Sequence, residues 1–420
     1  MADLYLPSIM LSVPNLTMSH SPRFNWFIII FFALAAIAVF AAALALPGFR
    51  VIAYAPLRDL ILPPTKPVVI SVLYSTEKEA WLQETVSSFE TSHPMVNGHP
   101  VQVKLEAMGS REIYLAVLDG TRQPDIISPA STLQISILQD QSTGKFGHPV
   151  VNMADNTTCR SVFTTPLVLA AWRERASVLW NNQPGANLWQ QLHDVAIDPQ
   201  GWSTFGHPEW GYFKFGHTDP LSSNSGFMTI LLMTYGYFGK TSGLTSGDIL
   251  SNLDYQKWFL DFEQTMSQFE TSTGPLMDKM ISYGPSSYDI VAVYEATAIQ
   301  QANNAVGRYG ELHIYYPPAT VWSDHPFCIL QADWVTPDKT RAAQTFIDYL
   351  TSHQVQENAL MKYGFRPVDK SIPLNQTGSP FEQYSANGFQ ADLSALPVVV
   401  TPPGDVLNTL LDFWSRNMNR

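Results

Sequence analysis

Alternating strand and helix patterns in residues 68–128 most constrain the fold of this chain. Residues 68–74 form a short run rich in β-branched side chains, 101–106 alternate between apolar and polar as a strand does, and 125–128 are a further strand candidate. Residues 77–92 and 110–118 between them have the periodicity of helices. Strands that alternate with helices are typical of an α/β domain with a mainly parallel sheet, whose ligands bind beyond the carboxyl ends of the strands. The sequence therefore predicts an α/β fold with a site at that edge of the sheet.

Two short polar loops lie where such a site is expected. Ser75 and Thr76 follow the first predicted strand, and Ser128 and Ser131 belong to the loop SPAS after the third. Each loop precedes a predicted helix, where free backbone N–H groups attract an anion or another polar ligand. We expect the two loops to converge on one ligand.

A third polar segment, FGHTDPLSSNSGF, opens directly onto an apolar helix-like run. Ser222, Ser223, Asn224 or Ser225 can each cap that helix, and Gly226 allows a ligand to approach its backbone. The alternative for this segment alone is an ordinary helix cap after an Asp-Pro turn. Because it repeats the chemistry of the first two loops, we predict that all three line one polar site.

The N-terminal region contains an apolar run at residues 24–46, long enough to cross a bilayer of ~30 Å hydrocarbon thickness. Residues 43–45 vaguely resemble a signal-peptide cleavage site, but the run exceeds the usual apolar length of a signal peptide. We therefore predict a tail at 1–23, an uncleaved transmembrane anchor at 24–46 and a linker at 47–67.

Composition restricts the classes of function. The formal net charge of −12 and a pI near 5.2 exclude a typical nucleic-acid binder, which needs clustered Lys and Arg to neutralise phosphates. Charged residues make up only 14% of the chain and aromatic residues 12%, a balance that suits sugar-like or other polar ligands.

Cysteine and histidine spacing gives no catalytic or metal motif. Cys159 and Cys328 are the two cysteines; they could form one disulfide or remain separate thiols, and we favour separate thiols. The sequence has no H-E-x-x-H zinc motif and no G-x-S-x-G nucleophile elbow. We predict that the protein is not an enzyme, uses no cofactor and has no metal-ligating motif.

Several segments resemble the bacterial extracellular solute-binding proteins. They are QPDIISPAS, FGHTDPLSSNSGF, VYE, IYYPPATVWSDHPFCIL and TRAAQTFIDYLTSHQVQENALMKYGFRP. The resemblance covers residues 68 to about 369 and is closest to the subgroup related to sulfate and molybdate binders, which also occurs joined to von Willebrand A domains. It implies a two-lobed type II periplasmic-binding fold, here preceded by one N-terminal transmembrane helix.

The resemblance implies ligand-binding residues in both lobes. The candidates are Ser75, Thr76, Ser128, Ser131, Thr165, Ser223, Asn224, Ser225 and Glu295, with Thr164 beside the first crossover. Thr164 and Thr165 are equally well explained as ordinary strand and turn hydroxyls. None of the three loops contains Arg or Lys, so an anion would depend on neutral donors alone.

Glu295 is the one charged candidate. We predict that it lies with Tyr294 in a helix that begins after a Gly-Pro breaker, and that residues 254–269 form another long helix. In the cleft, a carboxylate would favour a cation, an amine or a sugar hydroxyl over a divalent oxyanion. The alternative is a glutamate that faces solvent on the helix.

We predict a first lobe at 68–164, a second lobe at 165–320, and a return segment at 321–420 that completes the first lobe. The predicted function is a single-pass, membrane-anchored extracytoplasmic solute-binding protein. Its solute would be an oxyanion, sugar, amine or metal ion, and its partner an ABC permease or another membrane protein, with no nucleic acid. The alternatives are a cell-envelope hydrolase that uses Ser223 or Ser225, and an interaction protein that has lost its ligand.

Overall fold

A computed structural model of the chain describes residues 26–45 and 65–418. The contacts divide the chain into two units, Met1–Pro64 and Thr65–Arg420. In the first unit, Trp26–Ala45 forms helix α1, which coincides with most of the predicted anchor. Across the described residues, none of the helices combines the length and the apolar character that a membrane crossing needs. The predicted tail and most of the predicted linker lie outside the described residues.

The second unit contains alternating strands and helices. Its strands are β1 (Val68–Ser75), β2 (Met95–Val96), β3 (His99–Met108), β4 (Ile126–Ser128), β5 (Cys159–Ser161), β6 (Phe163–Trp172), β7 (Phe215–Gly216), β8 (Ile290–Tyr294), β9 (Leu312–Tyr315), β10 (Trp322–Ser323), β11 (Pro326–Ile329) and β12 (Arg366–Pro367). Its helices are α2 (Glu79–Thr91), α3 (Ser110–Asp119), α4 (Thr132–Phe146), α5 (Arg173–Trp180), α6 (Leu188–Ile197), α7 (Asn224–Phe238), α8 (Ser246–Ser251), α9 (Leu253–Glu263), α10 (Thr273–Tyr283), α11 (Glu295–Ala305), α12 (Pro337–Leu350), α13 (His353–Tyr363), α14 (Pro380–Gln383) and α15 (Gly404–Met418).

The first lobe is built on a six-stranded sheet of order β2-β3-β1-β4-β11-β5. Strand β1 pairs in parallel with β3 and β4, whereas β11 runs antiparallel to β4 and β5. Helices α2 and α12 cover one face, where Trp81, Phe89 and Phe346 are buried. The predicted α/β class is confirmed, but the sheet is mixed because the chain returns through two antiparallel strands.

The second lobe is built around the long strand β6. This strand pairs successively with β12, β10, β8 and β9, all antiparallel, while β7 pairs in parallel with β8. Pro166 is tolerated because the pairing with β10 is short, two residues long, and lies at the crossover between the lobes. Strands β6 and β10 therefore carry the chain out of the first lobe and back to it.

Two predicted helices have different bounds in the structure. Residues 290–294 form the buried strand β8, so Tyr294 ends a strand and Glu295 begins helix α11. The run IVAVY is apolar and mostly β-branched, which suits a central strand buried on both faces. Helix α9 ends at Glu263, before the predicted end at residue 269.

Cys159 and Cys328 form a disulfide. They lie opposite each other in β5 and β11, which pair antiparallel at the edge of the first sheet. The expectation of separate thiols is therefore wrong. The pairing of β5 with β11 joins residues separated by 169 positions, and no local sequence pattern indicates it. Disulfides persist in oxidising compartments.

The C-terminal segment contacts several parts of the second unit. Val398 bridges to Thr320, and the Val400 carbonyl accepts a hydrogen bond from the Tyr235 hydroxyl at 2.7 Å. Helix α15 contacts α8 in the second lobe and α4 in the first. It buries Leu410 and Trp414 in the core of the second lobe. The lobe boundaries given above remain a prediction.

Candidate functional site

The first two predicted polar loops meet at a buried lysine. Tyr74 and Ser128 are register partners in the parallel pair β1 and β4, so both strands end at the same edge. The Lys78 ammonium donates to Ser75 Oγ at 2.5 Å, to the Ser128 carbonyl at 2.8 Å and to the Pro129 carbonyl at 3.4 Å. Lys78 is fully buried. Lys78 lies outside the three predicted loops, just beyond Thr76, and a 3₁₀ turn brings its side chain back to Ser75.

Glu77 and His325 complete the charged part of this cluster. Glu77 Oε1 accepts a 2.5 Å hydrogen bond from Ser75 Oγ and lies 3.3 Å from both Lys78 Nζ and His325 Nδ1. Burial works to raise the pKa of Glu77, but the Lys78 ammonium and His325 outweigh it and hold that pKa well below its usual range. Burial lowers the pKa of Lys78 to about 8 and that of His325 to about 4. At pH 7 the cluster thus contains one anion, one cation and a neutral imidazole.

Asn224 connects the second lobe to this cluster. Its Oδ1 accepts a 3.0 Å hydrogen bond from Nε2 of Gln134, which lies on α4 of the first lobe. Its Nδ2 donates to the Tyr294 hydroxyl at 3.0 Å and to Met228 Sδ at 3.2 Å. Burial raises the pKa of the Tyr294 phenol, and the negative charge of the Glu77 carboxylate raises it further. The Gln134–Asn224 hydrogen bond therefore joins the two lobes through side chains.

The other candidates at the start of α7 form a hydroxyl network within the second lobe. Ser225 Oγ lies 2.8 Å from Thr218 Oγ1, 2.7 Å from Thr273 Oγ1 and 3.2 Å from Ser223 Oγ. Gly226 has a different role from the predicted one. A Cβ atom there would lie 1.9 Å from the Thr218 carbonyl oxygen, so glycine is needed to pack α7 against this loop rather than to admit a ligand.

Three further candidates have local structural roles. Ser131 Oγ caps α4 by accepting from the Leu133 N–H at 3.2 Å. Thr165 Oγ1 accepts from the Ala296 N–H at 3.0 Å, at the first turn of α11. Thr76 is half-buried and begins the 3₁₀ turn after β1. Ser131 and Thr165 support the helices that surround the cluster.

Glu295 forms a buried ion pair. Arg366 Nε donates to Oε2 at 2.7 Å and Arg366 Nη2 donates to Oε1 at 2.8 Å, while the Tyr316 hydroxyl also donates to Oε1. Glu295 is fully buried, so the solvent-facing alternative is wrong. Because its two oxygens are bound by Arg366 and Tyr316, we no longer propose Glu295 as a ligand-binding group. Burial works to lower the pKa of Arg366, but the Glu295 carboxylate outweighs it and raises that pKa.

The polar side chains described so far form an interlobe cluster of Ser75, Glu77, Lys78, Ser128, Gln134, Asn224, Tyr294 and His325. Among the described residues, two polar atoms of this cluster have no hydrogen-bond partner, Ser128 Oγ and Gln134 Oε1. Unpaired polar atoms at full burial are rare and costly, and they are commonly satisfied by water or ligand. In the part of the chain that the structure describes, no three His, Cys, Asp or Glu side chains are grouped to hold a metal ion.

A buried His217–Glu263 pair supports the hydroxyl network from behind. His217 Nδ1 lies 2.7 Å from the Thr218 carbonyl and Nε2 lies 3.0 Å from Glu263 Oε1. Both neighbours are acceptors, so both ring nitrogens must donate and the imidazole is protonated. The Trp414 indole donates to Glu263 Oε2 at 2.6 Å. Burial works to lower the pKa of His217, but the Glu263 carboxylate outweighs it and raises that pKa.

This pair predicts a pH-dependent stability. Unfolded His217 loses its proton near its ordinary pKa of ~6.5, whereas the folded protein keeps the proton to higher pH. The stabilisation is therefore complete below about pH 6.5 and is lost as pH rises through the raised folded pKa. Denaturant unfolding at a series of pH values measures this effect. The wild type should have a higher free energy of unfolding than the double variant His217→Gln/Glu263→Gln at low pH, and this difference should shrink as the pH rises. His148 is exposed, and the control variant His148→Gln should differ from the wild type by the same free energy of unfolding at every pH. A difference between the wild type and the double variant that does not change with pH would contradict the prediction.

The model of one protein family, described as bacterial extracellular solute-binding protein, matches residues 70–366. This chain belongs to that family. The match confirms the resemblance drawn from the sequence and identifies the chain as a solute-binding protein rather than an enzyme. No curated protein sequence matches the chain.

Solved structures of solute-binding proteins share the two-lobed fold. The sulfate-binding protein SubI from Mycobacterium tuberculosis is 17% identical, with 83% of this chain and 97% of that chain covered and a TM-score of 0.50. The periplasmic binding protein AfuA from Actinobacillus pleuropneumoniae, with exogenous fructose-6-phosphate bound, is 14% identical, with 84% and 99% covered and a TM-score of 0.55. Iron-bound HitA from Pseudomonas aeruginosa is 13% identical, with 84% and 99% covered and a TM-score of 0.54. At these identities the similarity establishes the fold of the solute-binding protein.

Proposed function

We propose that this solute-binding protein is membrane-anchored and extracytoplasmic, and that it captures a small polar solute between its lobes for transport or sensing. The observation that carries the proposal is the buried interlobe cluster. It contains the Gln134–Asn224 hydrogen bond between lobes and the unpaired atoms Ser128 Oγ and Gln134 Oε1. A bound solute would satisfy these atoms and hold the lobes together.

Close backbone packing at the same place supports closure as the binding motion. A Cβ atom on Gly109 of the first lobe would lie 2.7 Å from the Ser222 carbonyl oxygen of the second. The described conformation is therefore closed at the cluster, and opening would separate Gly109 from Ser222 and Gln134 from Asn224. A solute that bridges the lobes shifts the equilibrium towards this closed state.

The proposed location rests on two observations. The 24–46 segment contains no Asp, Glu, Lys or Arg, as expected of a membrane anchor, and the Cys159–Cys328 disulfide is compatible with an oxidising compartment. An ABC permease is the partner proposed from the family. Membrane fractionation of the full chain tests the anchor: recovery in the pellet after alkaline carbonate washing supports it, and release into the supernatant contradicts it.

Ligand binding is tested on the full chain by isothermal titration and thermal shift. The probes are sulfate, phosphate, ferric ion, glucose, mannitol, fructose-6-phosphate and putrescine. We expect at least one to bind and Asn224→Ala to weaken that binding about 5- to 150-fold, because a lost buried hydrogen bond costs ~1–3 kcal/mol. Asn358→Ala, on α13 of the first lobe, is the matched control and should bind normally. Absence of heat and thermal shift with every probe would favour the ligand-less interaction protein.

A further inference from the structure

The Cys159–Cys328 disulfide lies at the first-lobe end of the hinge between the lobes. Strand β5 leads into β6 through one residue, Val162, and β10 leads into β11 through Asp324 and His325. The Val162 N–H donates to the His325 carbonyl at 3.3 Å, so the pairing of β5 with β11 continues into the pairing of β6 with β10. Both crossings of the chain therefore belong to one antiparallel ladder, and the disulfide joins its two strands at the first-lobe end.

The segment of chain around Cys328 also positions part of the interlobe cluster. His325 lies just before β11, the strand that contains Cys328. Its Nδ1 is 3.3 Å from Glu77 Oε1 in the first lobe, and its ring centre is 6.1 Å from that of Tyr294 in the second lobe. Tyr294 in turn accepts the hydrogen bond from Asn224. A change in how firmly β11 is held would therefore alter contacts between the lobes in the closed state.

Cys159 is the half of the disulfide that an external reductant reaches first. It lies on β5, the edge strand of the first sheet, whereas Cys328 lies on β11, between β4 and β5. Cys159 is 6% exposed and Cys328 is fully buried. Cys159 also lines a cavity of about 390 Å³ together with Thr132, Ser161 and Pro326. A cavity of this size admits a small organic molecule, so a dithiol reductant can approach Cys159 from the edge of the sheet.

We propose that this disulfide is a redox-sensitive latch of the hinge: a dithiol reductant attacks Cys159, and the reduced protein opens more readily than the oxidised one. The inference rests on the interlobe closure of the proposed function and adds its regulation. Without the covalent tether, β11 and His325 are held by hydrogen bonds and packing alone. The contact of His325 with Tyr294 then weakens, and the equilibrium shifts towards the open state.

The reduction is a thiol–disulfide exchange in two steps. A thiolate of the reductant attacks Cys159 Sγ, the Sγ–Sγ bond breaks, and Cys328 leaves as a thiolate that takes up a proton. The second thiolate of the reductant then attacks the reductant sulfur in the mixed disulfide, and Cys159 leaves as a thiolate that is also protonated. The dithiol becomes a disulfide, and its two electrons reduce the protein to two thiols.

Alkylation of single-cysteine variants tests the point of attack. The chain has two cysteines, so Cys328→Ser leaves only the Cys159 thiol and Cys159→Ser leaves only the Cys328 thiol. In the folded full chain, iodoacetamide should label Cys159 at least about tenfold faster than Cys328, because accessibility controls the reaction of a thiol. Equal rates, or faster labelling of Cys328, would overturn the assignment of Cys159.

Energy transfer between dyes on the two lobes tests the latch. The dyes are attached to non-natural amino acids at two exposed positions, Lys104 on β3 and Lys257 on α9, so that the cysteines stay free. In the full chain, dithiothreitol should lower the ratio of closed to open molecules about fivefold or more, the lower end of typical couplings between sites. Oxidised glutathione should restore the ratio. The control Cys159→Ser/Cys328→Ser should match the reduced wild type and respond to neither reagent.

Asn224→Ala in the same assay separates this inference from the proposed function, because it breaks the Gln134–Asn224 hydrogen bond in either redox state. If Asn224→Ala opens the lobes and reduction leaves the ratio unchanged, the latch is overturned and interlobe closure remains. If neither change affects the ratio, both the latch and interlobe capture are overturned. A disulfide that stays intact in dithiothreitol under native conditions, or a loss of far-UV circular dichroism on reduction, would overturn the latch alone.

Discussion

Arg366→Met should lower the free energy of unfolding by about 3–5 kcal/mol, because it leaves a buried carboxylate without its counter-charge. Arg366 makes two hydrogen bonds to Glu295, and both side chains are buried. It also donates to the carbonyls of Gln390 and Ala391, so it ties the C-terminal segment to the start of α11. The variant would lose the ion pair and these backbone contacts together.

Urea unfolding followed by tryptophan fluorescence measures this loss. Arg173→Met is the matched control, since Arg173 pairs with Glu311 at the surface and both side chains are about half exposed. Water screens that pair, so we expect almost no change. The double variant Arg366→Met/Glu295→Leu should recover much of the lost stability, because it removes the isolated charge as well. Equal destabilisation by Arg366→Met and Arg173→Met would contradict the argument.

Replacing Cys159 and Cys328 together by alanine should lower the free energy of unfolding by about 2–5 kcal/mol. The disulfide closes a long loop, with 169 positions between its ends, and a long loop restricts the unfolded chain strongly. Both cysteines are also buried beside apolar side chains such as Ile127 and Leu330. Denaturant unfolding with and without a reducing agent measures the effect.

The reducing agent provides an internal control for the disulfide. Dithiothreitol should bring the wild type close to the alanine variant and should leave that variant unchanged, because the variant has no disulfide to reduce. Unfolding midpoints that agree between the oxidised wild type and the variant would show that the cross-link does not stabilise the fold.

Local sequence patterns predicted the framework of the site. Ser75 and Ser128 lie at the carboxyl ends of parallel neighbours, as the strand and helix alternation indicated. Asn224 begins α7, which the small polar segment before an apolar run predicted. These features depend on a few neighbouring residues, so hydrophobic periodicity and helix-capping residues are enough to predict them.

Contacts between distant residues account for what the sequence analysis missed. Arg366 lies 71 positions from Glu295, and no local pattern joins them. His325 reaches Glu77 only because the crossover strand β10 returns the chain to the first lobe. Lys78 had a local signal, since it follows Thr76 by two residues, but its burial depends on the neighbouring Ser128 loop.

Helix α15 determines how far a shortened version of this chain must extend towards the C-terminus to keep its fold. It lies beyond residue 366, where the family match ends, yet its Leu410 and Trp414 fill the core of the second lobe. A recombinant version trimmed at the family boundary would expose that apolar wall and leave Glu263 without its Trp414 donor. Such a surface favours self-association and precipitation. The shortest version suited to crystallisation or binding measurements therefore extends to residue 418.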